Sequence, residues 1–184
     1  MTGETIGRAL PGDLSREELV RRMIRVDQAG EYGARRIYEG QLAVLGHRRD
    51  AEPIRRMAAQ ERRHLDAFDD MLVERRVRPT ALHPLWHVAG YALGAATALL
   101  GREAAMACTV AVEEVIDEHY ARQAALLGDD EPQLKMTIET FRTEEIEHRD
   151  LGLAEGAERA PAYDLLKGAI KGGSRLAIWL AERL

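Results

Sequence analysis

Six acidic and histidine side chains recur in this sequence with one spacing pattern. A glutamate is followed 30 residues later by Glu-x-x-His in the first half of the chain, and 32 residues later in the second half. The residues are Glu31, Glu61 and His64, and then Glu113, Glu145 and His148. Residues i and i+3 project from the same side of a helix, so each Glu-x-x-His pair could bind one ion together. One pair is a weak signal, but the full set appears twice, which is typical of a di-metal site in a helical bundle.

The spacing also predicts a role for each ligand. Each ion would have one glutamate and one histidine as terminal ligands: Glu31 and His64 for one ion, Glu113 and His148 for the other. Glu61 and Glu145 would bridge the two ions. Carboxylates and imidazoles suit iron or manganese, whereas thiolates suit zinc. Four carboxylates would balance two Fe2+ ions, so we predict a pair of iron ions (Fe2+/Fe3+) and leave manganese open.

Other polar side chains near these positions have less specific interpretations. Tyr38 and Tyr120 each follow a ligand glutamate by two helical turns, so either could reach the site or be a packed core tyrosine. The acids beside the ligands are expected to be surface charges: Glu114, Glu144 and Glu147. The remaining histidines lack a glutamate three positions earlier and are left out of the metal site: His47, His83, His87 and His119.

Helix signals surround all six candidate ligands. Ala, Leu, Arg and Glu, which are good helix formers, dominate the chain, and β-branched runs are scarce. Capping and glycine signals predict helices over about 15–46, from 50 to before 79, over 103–127, over 130–157, and after 161. The whole chain, 1–184, is expected to be one domain, with residues 1–14 flexible and residues 161–184 forming an amphipathic helix.

The segment between the two ligand sets has a different composition. Residues 79–101 contain no Asp, Glu, Lys or Arg. The uninterrupted apolar part after His87 is shorter than the roughly 20 residues that a membrane-spanning helix needs. We therefore expect a helix over 82–101 that lies in the membrane interface or lines an apolar pocket. An ordinary buried crossover helix is the alternative.

Composition excludes several classes of function. The net charge of −5 is spread along the chain, with no basic patch for nucleic acid. Residues 1–14 show no signal or transit peptide pattern, and the single Cys108 is expected in the core. No strand-linked G-x-G-x-x-G or flavin fingerprint is visible, so electrons for redox chemistry would come from a small reductant, a quinol substrate or a partner.

Longer motifs resemble the demethoxyubiquinone hydroxylase family over about residues 20–184. They are V-D-Q-A-G-E-Y-G-A at 26–34, V-R-P-T at 77–80, P-L-W at 84–86, A-M-A-C-T-V-A-V-E-E at 105–114, A-P-A-Y at 160–163 and S-R-L-A-I-W-L at 174–180. The family's six metal ligands fall on the six residues selected above, and its tyrosine near the site falls on Tyr120.

The resemblance implies an all-α, ferritin-like four-helix bundle with an inserted apolar crossover helix and an extra C-terminal amphipathic helix. It implies a di-iron monooxygenase that uses O2 to hydroxylate the ring of a polyprenylated demethoxyubiquinone or demethoxyubiquinol, late in ubiquinone biosynthesis. Such a substrate lives in the bilayer. The resemblance therefore implies peripheral attachment to the lipid surface of the inner membrane, on the cytoplasmic side in a bacterium or the matrix side in a mitochondrion.

Several alternatives remain open from sequence alone. An iron store, a peroxide-scavenging di-iron protein and a non-catalytic membrane-binding module share parts of the pattern. The uncharged segment argues against a store, the lack of Cys-x-x-Cys argues against a scavenger with an extra redox site, and the ligand repeat argues against a simple membrane module. A homo-oligomer and a lipid-presenting or biosynthetic protein partner are both compatible with the sequence, which fixes neither the electron donor nor the tail length.

Overall fold

Two antiparallel helix pairs form the body of the protein. A computed structural model describes residues 14–184, and six α-helices run through them: α1 (Arg16–Leu45), α2 (Glu52–Glu74), α3 (His83–Leu99), α4 (Arg102–Leu127), α5 (Pro132–Ala154) and α6 (Tyr163–Ala181). No strand occurs within this range, and the fold is an all-α, ferritin-like bundle. The flexibility predicted for residues 1–14 lies outside the described residues except at Leu14.

Local sequence signals explain where most helices begin and end. α1 begins after a capping box in which the Glu18 amide donates to Ser15 Oγ at 3.2 Å and the Ser15 amide donates to Glu18 Oε2 at 2.9 Å. α2 and α5 each carry a proline in the first turn, where no amide donor is lost. The fourth predicted helix was expected to reach 157, but α5 ends at Ala154 because Gly156 adopts a left-handed conformation with φ 91°.

α3 crosses between the two pairs and packs closely along α1. The approach depends on glycines, because a Cβ on Gly94 would overlap the carbonyl oxygen of Ile37 and a Cβ on Gly40 would overlap that of Tyr91. α6 packs on α4, where Lys171 Nζ lies 2.7 Å from Glu114 and Arg175 donates to Glu118. Both added helices therefore lie on the α1–α4 side of the bundle.

Apolar side chains fill the bundle above and below its middle layer. One buried cluster surrounds Tyr38, Met57 and Met106, and another surrounds Phe68 and Tyr120. Cys108 is fully buried, as its apolar neighbours predicted. The buried carboxylates and imidazoles of the bundle lie between these two clusters.

Candidate metal centre and adjoining cavity

The six candidate ligands meet in the middle of the bundle, and all six side chains are buried. α1 and α4 each supply one glutamate, and α2 and α5 each supply a Glu-x-x-His pair. Ligand atoms lie within 4.8 Å of one another in two sets of four: Glu31, Glu61, His64 and Glu145, and then Glu61, Glu113, Glu145 and His148. The two sets share Glu61 and Glu145, the residues predicted to bridge.

Both imidazoles turn the same ring nitrogen towards the carboxylates. His64 Nδ1 lies 2.9 Å from Glu145 Oε1 and 3.5 Å from Glu31 Oε2. His148 Nδ1 lies 2.9 Å from Glu145 Oε2 and 3.1 Å from Glu61 Oε1. Glu145 therefore contacts both histidines, one through each oxygen.

The donor atoms fit a pair of cations. Both oxygens of Glu61 and Oε2 of Glu31 are buried and form no hydrogen bond of normal geometry with any residue that the structure describes. Buried carboxylate oxygens in a dry interior need a proton, a hydrogen-bond donor or a metal ion. The carboxylate and imidazole donors match the preferences of iron or manganese, and no thiolate lies among them. These buried Glu and His groups could therefore hold metal.

Without metal, the cluster must hold protons instead. Burial raises the pKa of Glu31, Glu61 and Glu113, with neighbouring carboxylates adding to the rise. Burial opposes the charge of Glu145 too, but hydrogen bonds from His148 and His64 lower its pKa to about 2. Since a metal ligand must be deprotonated, binding would release protons from this cluster.

Both tyrosines reach the candidate ligands, and they do so crosswise between the two halves of the repeat. The Tyr38 hydroxyl, from α1, donates to Glu113 Oε1 on α4 at 3.1 Å. The Tyr120 hydroxyl, from α4, donates to Glu31 Oε1 on α1. Burial raises the pKa of both phenols well above 10, so both stay protonated and can donate. Each hydroxyl thus fixes the orientation of one predicted terminal carboxylate.

Two of the three neighbouring acids are not the surface charges that the sequence predicted. Glu144 Oε2 lies 2.6 Å from Nε2 of His64, the ring nitrogen that faces away from the other carboxylates. Glu114 is largely covered by Lys167 and Lys171 of α6. Glu147 is exposed, as expected. The interpretation failed for Glu144 and Glu114 because it considered their own helices and not the helices packed against them.

A second buried polar group lies one turn from Glu31 and was not found from the sequence. His119 Nε2 lies 3.2 Å from Asp27 Oδ1, and Gln123 donates to the same oxygen at 2.7 Å. Asp27 precedes Glu31 by four residues, and His119 is next to Tyr120, so this group borders the ligand layer without entering it. The sequence analysis missed this group because His119 pairs with an acid on another helix, and residue spacing within one helix does not reveal such a contact.

The other three histidines lie outside the ligand layer. His87 Nδ1 lies 2.6 Å from the Tyr32 hydroxyl, and His83 Nε2 lies 3.3 Å from the Gln28 amide nitrogen. His47 is exposed in the turn after α1. The structure therefore places none of the excluded histidines among the candidate ligands.

An apolar cavity of about 350 Å³ lies beside the ligand layer, between α1, α3, α4 and α6. Small residues such as Gly30, Gly33 and Gly90 make room for it, and Trp86 and Ile178 form part of its wall. A narrow gap shares three lining residues with the cavity: Ala34, Ile37 and Val112. The gap also borders Tyr38, Thr109 and Glu113. The cavity and the gap are therefore adjacent, and the gap separates the cavity from Glu113.

The helices that flank this cavity expose large apolar side chains. On α3, Leu85 is 50% exposed and Val88 is 65% exposed, and on α6, Leu165 is 76% and Trp179 is 49% exposed. Between residues 14 and 184, no helix combines the length and the apolar character needed to cross a membrane. The exposed apolar side chains of α3 and α6, the two helices that flank the cavity, are called its rim.

Comparison with known proteins gives a consistent answer over nearly the whole chain. Residues 18–181 match the family described as ubiquinone biosynthesis protein COQ7. A 3-demethoxyubiquinol 3-hydroxylase of Rhodospirillum rubrum is 62% identical, over 95% of this chain and 83% of the relative. An NADPH-dependent 3-demethoxyubiquinone 3-hydroxylase, mitochondrial, of Homo sapiens is 56% identical, over 90% and 78%. A 5-demethoxyubiquinone hydroxylase, mitochondrial, of Saccharomyces cerevisiae is 42% identical, over 89% and 77%.

Proposed function

We infer that this chain, which belongs to the ubiquinone biosynthesis protein COQ7 family, hydroxylates the ring of a demethoxyubiquinol or demethoxyubiquinone. The hydroxylase activity rests on relatives that share up to 62% identity and carry that activity in their names. The chain is a monooxygenase of a late step in ubiquinone biosynthesis, the activity that the resemblance of its motifs predicted.

We propose that two iron ions perform this reaction inside the bundle. The observation that carries the proposal is the pair of overlapping ligand sets, which share Glu61 and Glu145. Glu31 and His64 would complete one iron site, and Glu113 and His148 would complete the other. When bound, the two ions supply the activation of O2, of which one oxygen atom enters the ring.

The surrounding residues prepare the site for that chemistry. Tyr38 and Tyr120 hold the carboxylates of Glu113 and Glu31 by hydrogen bonds, so these ligands keep their orientation. The apolar clusters on both sides exclude water, which strengthens electrostatic interactions at the site and protects reactive species. The protein thus contributes a dry, rigid cage in which oxygen chemistry is confined to the substrate.

We propose that the apolar cavity holds the quinone ring and the first part of the polyprenyl tail. Its wall is almost free of polar side chains, as an isoprenoid requires, and the narrow gap separates it from Glu113. The exposed leucines and Trp179 at its rim would rest in the surface of the inner membrane, where such a substrate resides. The relatives named as mitochondrial agree with this compartment. A lipid-presenting partner protein would bind the same rim.

Membrane attachment has a direct test in flotation with phospholipid vesicles. Wild-type protein should float with the vesicles, and Leu176→Glu combined with Trp179→Glu should shift it to the unbound fraction, because both side chains are about half exposed on α6. Leu153→Glu on α5 is the control, since this residue is also exposed but lies away from the rim. Equal flotation of all three proteins would contradict the proposed surface.

The activity has its own test with labelled oxygen. Iron-loaded protein, NADPH and a demethoxyubiquinol with a short tail are incubated under 18O2, and the product is analysed by mass spectrometry. NADPH is the chosen reductant because several relatives are named as NADPH-dependent. We expect one labelled oxygen atom in the ring, loss of product in Glu61→Ala, and normal product in Glu147→Ala. Glu147 is the control because its side chain lies on the exposed side of α5, outside the site.

The metal content separates this proposal from iron storage. About two metal ions per chain is the expectation for the hydroxylase, and a large excess of iron would indicate a store. Unlabelled product, or no product from iron-loaded wild-type protein, would contradict the proposed monooxygenase.

A further inference from the structure

We propose that the hydroxyl of Thr109 binds a ring oxygen of the substrate and so determines which ring carbon faces Glu113. Thr109 lies on α4, one turn before Glu113, so both side chains share one face of the helix. This inference rests on the proposed function and extends it to the residue that orients the substrate.

The conformation of Thr109 differs from that of the other helical threonines. Thr97, Thr137, Thr140 and Thr143 each donate to the backbone carbonyl four residues earlier, at distances of 2.8–3.1 Å. Thr109 is 2% exposed, yet its Oγ1 has no hydrogen-bond partner among the described residues. A buried hydroxyl normally forms this internal bond, and leaving it unmade costs free energy. A ligand that accepts or donates a hydrogen bond would remove the cost.

The surroundings show where that ligand would come from. The Cγ2 methyl of Thr109 faces α5, 3.8 Å from where a Cβ on Gly152 would lie. Thr109 also borders the narrow gap between the apolar cavity and Glu113. The gap is narrower than a water molecule in this structure, so a ring must displace its lining side chains to enter it. A ring that arrives from the cavity would meet Thr109 as it reaches Glu113.

The nearby tyrosine does not fulfil this role. The Tyr38 hydroxyl lies beside Thr109 but donates its proton to Glu113, and the Thr109–Tyr38 contact does not have the geometry of a hydrogen bond. The remaining residues of the gap are apolar: Ala34, Ile37 and Val112. A flat ring in an apolar cavity can rotate about its long axis, and one fixed polar contact is enough to select an orientation. Thr109 is the residue on this path that offers such a contact.

Binding and turnover of two variants test the inference. Thr109→Val keeps the shape and removes the hydroxyl, whereas Thr109→Ser keeps the hydroxyl and removes the methyl group. Quenching of Trp86 fluorescence, in protein with Trp179 replaced by Phe, reports ligands in the cavity because Trp86 lines it. The probes are a short-tailed demethoxyubiquinone and farnesene, an isoprenoid without oxygen.

We expect Thr109→Val to weaken demethoxyubiquinone binding about tenfold, as the loss of one buried hydrogen bond predicts, and to leave farnesene binding unchanged. Thr109→Ser should bind both probes as the wild type does and should retain turnover. Metal content should match the wild type in both variants. Thr109→Val should melt at or above the wild-type temperature, because it removes a buried hydroxyl that has no partner among residues 14–184 in the ligand-free protein. Thr109→Ser keeps the test informative if the valine variant folds poorly.

Two results would overturn the inference without touching the proposed function. In the first, wild type and Thr109→Val bind demethoxyubiquinone equally and hydroxylate it at the same rate. In the second, Thr109→Val and Tyr38→Phe have equal and non-additive effects, which would mean that Thr109 only supports Tyr38. Failure of the iron-loaded wild type itself to hydroxylate the substrate would instead refute the proposed function.

Discussion

The two helix pairs supply the same ligands but support them differently. His64, on α2, is enclosed on both sides, because Phe141 stacks on its ring at 4.0 Å and Glu144 contacts its Nε2 at 2.6 Å. His148, on α5, has no hydrogen-bond partner at its buried Nε2 within residues 14–184. A carboxylate behind a histidine fixes the orientation of its ring and makes it a stronger metal ligand. The internal repeat thus conserves the ligand set, while helix packing makes the two halves unequal.

The largest test of this comparison removes shared and unshared ligands in turn. Glu61→Ala should lose both metal ions, because Glu61 belongs to both ligand sets, whereas Glu31→Ala should lose one ion and retain the other. Glu147→Ala, on the exposed side of α5, should keep both. Metal analysis of the purified proteins measures the difference. Equal losses in Glu61→Ala and Glu31→Ala would show that the site does not divide into two halves.

Protonation offers a second test, in the metal-free protein. Burial disfavours charge on the imidazoles, but hydrogen bonds to carboxylates raise the pKa of His64 to about 12 and that of His148 to about 11. The unfolded imidazoles lose their protons near pH 6.5, while the folded ones keep theirs. The free energy of unfolding should therefore fall as pH rises above 6.5, by about 1.4 kcal/mol per pH unit for each imidazole that keeps its proton.

Urea unfolding between pH 6.5 and 9 in the presence of a chelator measures this slope. His64→Asn and His148→Asn should each reduce the slope by about 1.4 kcal/mol per pH unit, the contribution of one imidazole. Metal-loaded protein should show no such decline, because the ions have already displaced the protons. A flat profile for the chelated wild type would contradict the raised pKa values.

The unequal support of the two histidines predicts a change in metal affinity that is smaller than the loss of an ion caused by removing a ligand. Glu144→Gln removes the charge behind His64 and should lower the affinity for one ion about 10-fold to 100-fold, while the other ion stays as tightly bound. Glu147→Gln has the same chemistry on the exposed side of α5 and should leave both affinities unchanged. Competition with a coloured chelator separates the two binding steps. If Glu144→Gln weakened the binding of both ions equally, or if Glu147→Gln had the same effect as Glu144→Gln, the two histidines would not differ in their support.

Much of this arrangement could be predicted from periodicity within single helices. The capping box at Ser15 located the start of α1, and the i, i+3 rule located the ligand face of α2 and α5. The repeat with its offset of 82 residues from Glu31 to Glu113 brought the two halves into one register. These features depend on a few neighbouring residues, so one sequence is enough to find them.

The features that sequence could not provide depend on contacts between helices. Glu144 has no partner at helical spacing, and its role follows from the packing of α5 against α2. The close passage of α3 along α1 requires Gly40 and Gly94 to meet backbone from the other helix, although they lie far apart in the chain. The missing hydrogen bond of Thr109 is a matter of side-chain conformation. Each of these three features can be recognised only when the positions of the packed helices and side chains are known.

The two tyrosines should give the smallest effects and provide the strictest test of the comparison. Tyr38→Phe removes the donor to Glu113, and Tyr120→Phe removes the donor to Glu31, so each loosens the terminal carboxylate of the opposite half. Each loss should weaken the binding of one ion by about 1 kcal/mol, the net contribution of one hydrogen bond.

Metal release rates of the two single variants and the double variant measure these effects. Because the hydroxyls contact different carboxylates, the effects on the free energy of binding should add to within about 0.5 kcal/mol. A strongly non-additive double variant would mean that the crosswise hydrogen bonds couple the two halves into one unit. The contact of Glu144 with His64 would then affect the binding of both ions and not of one ion alone.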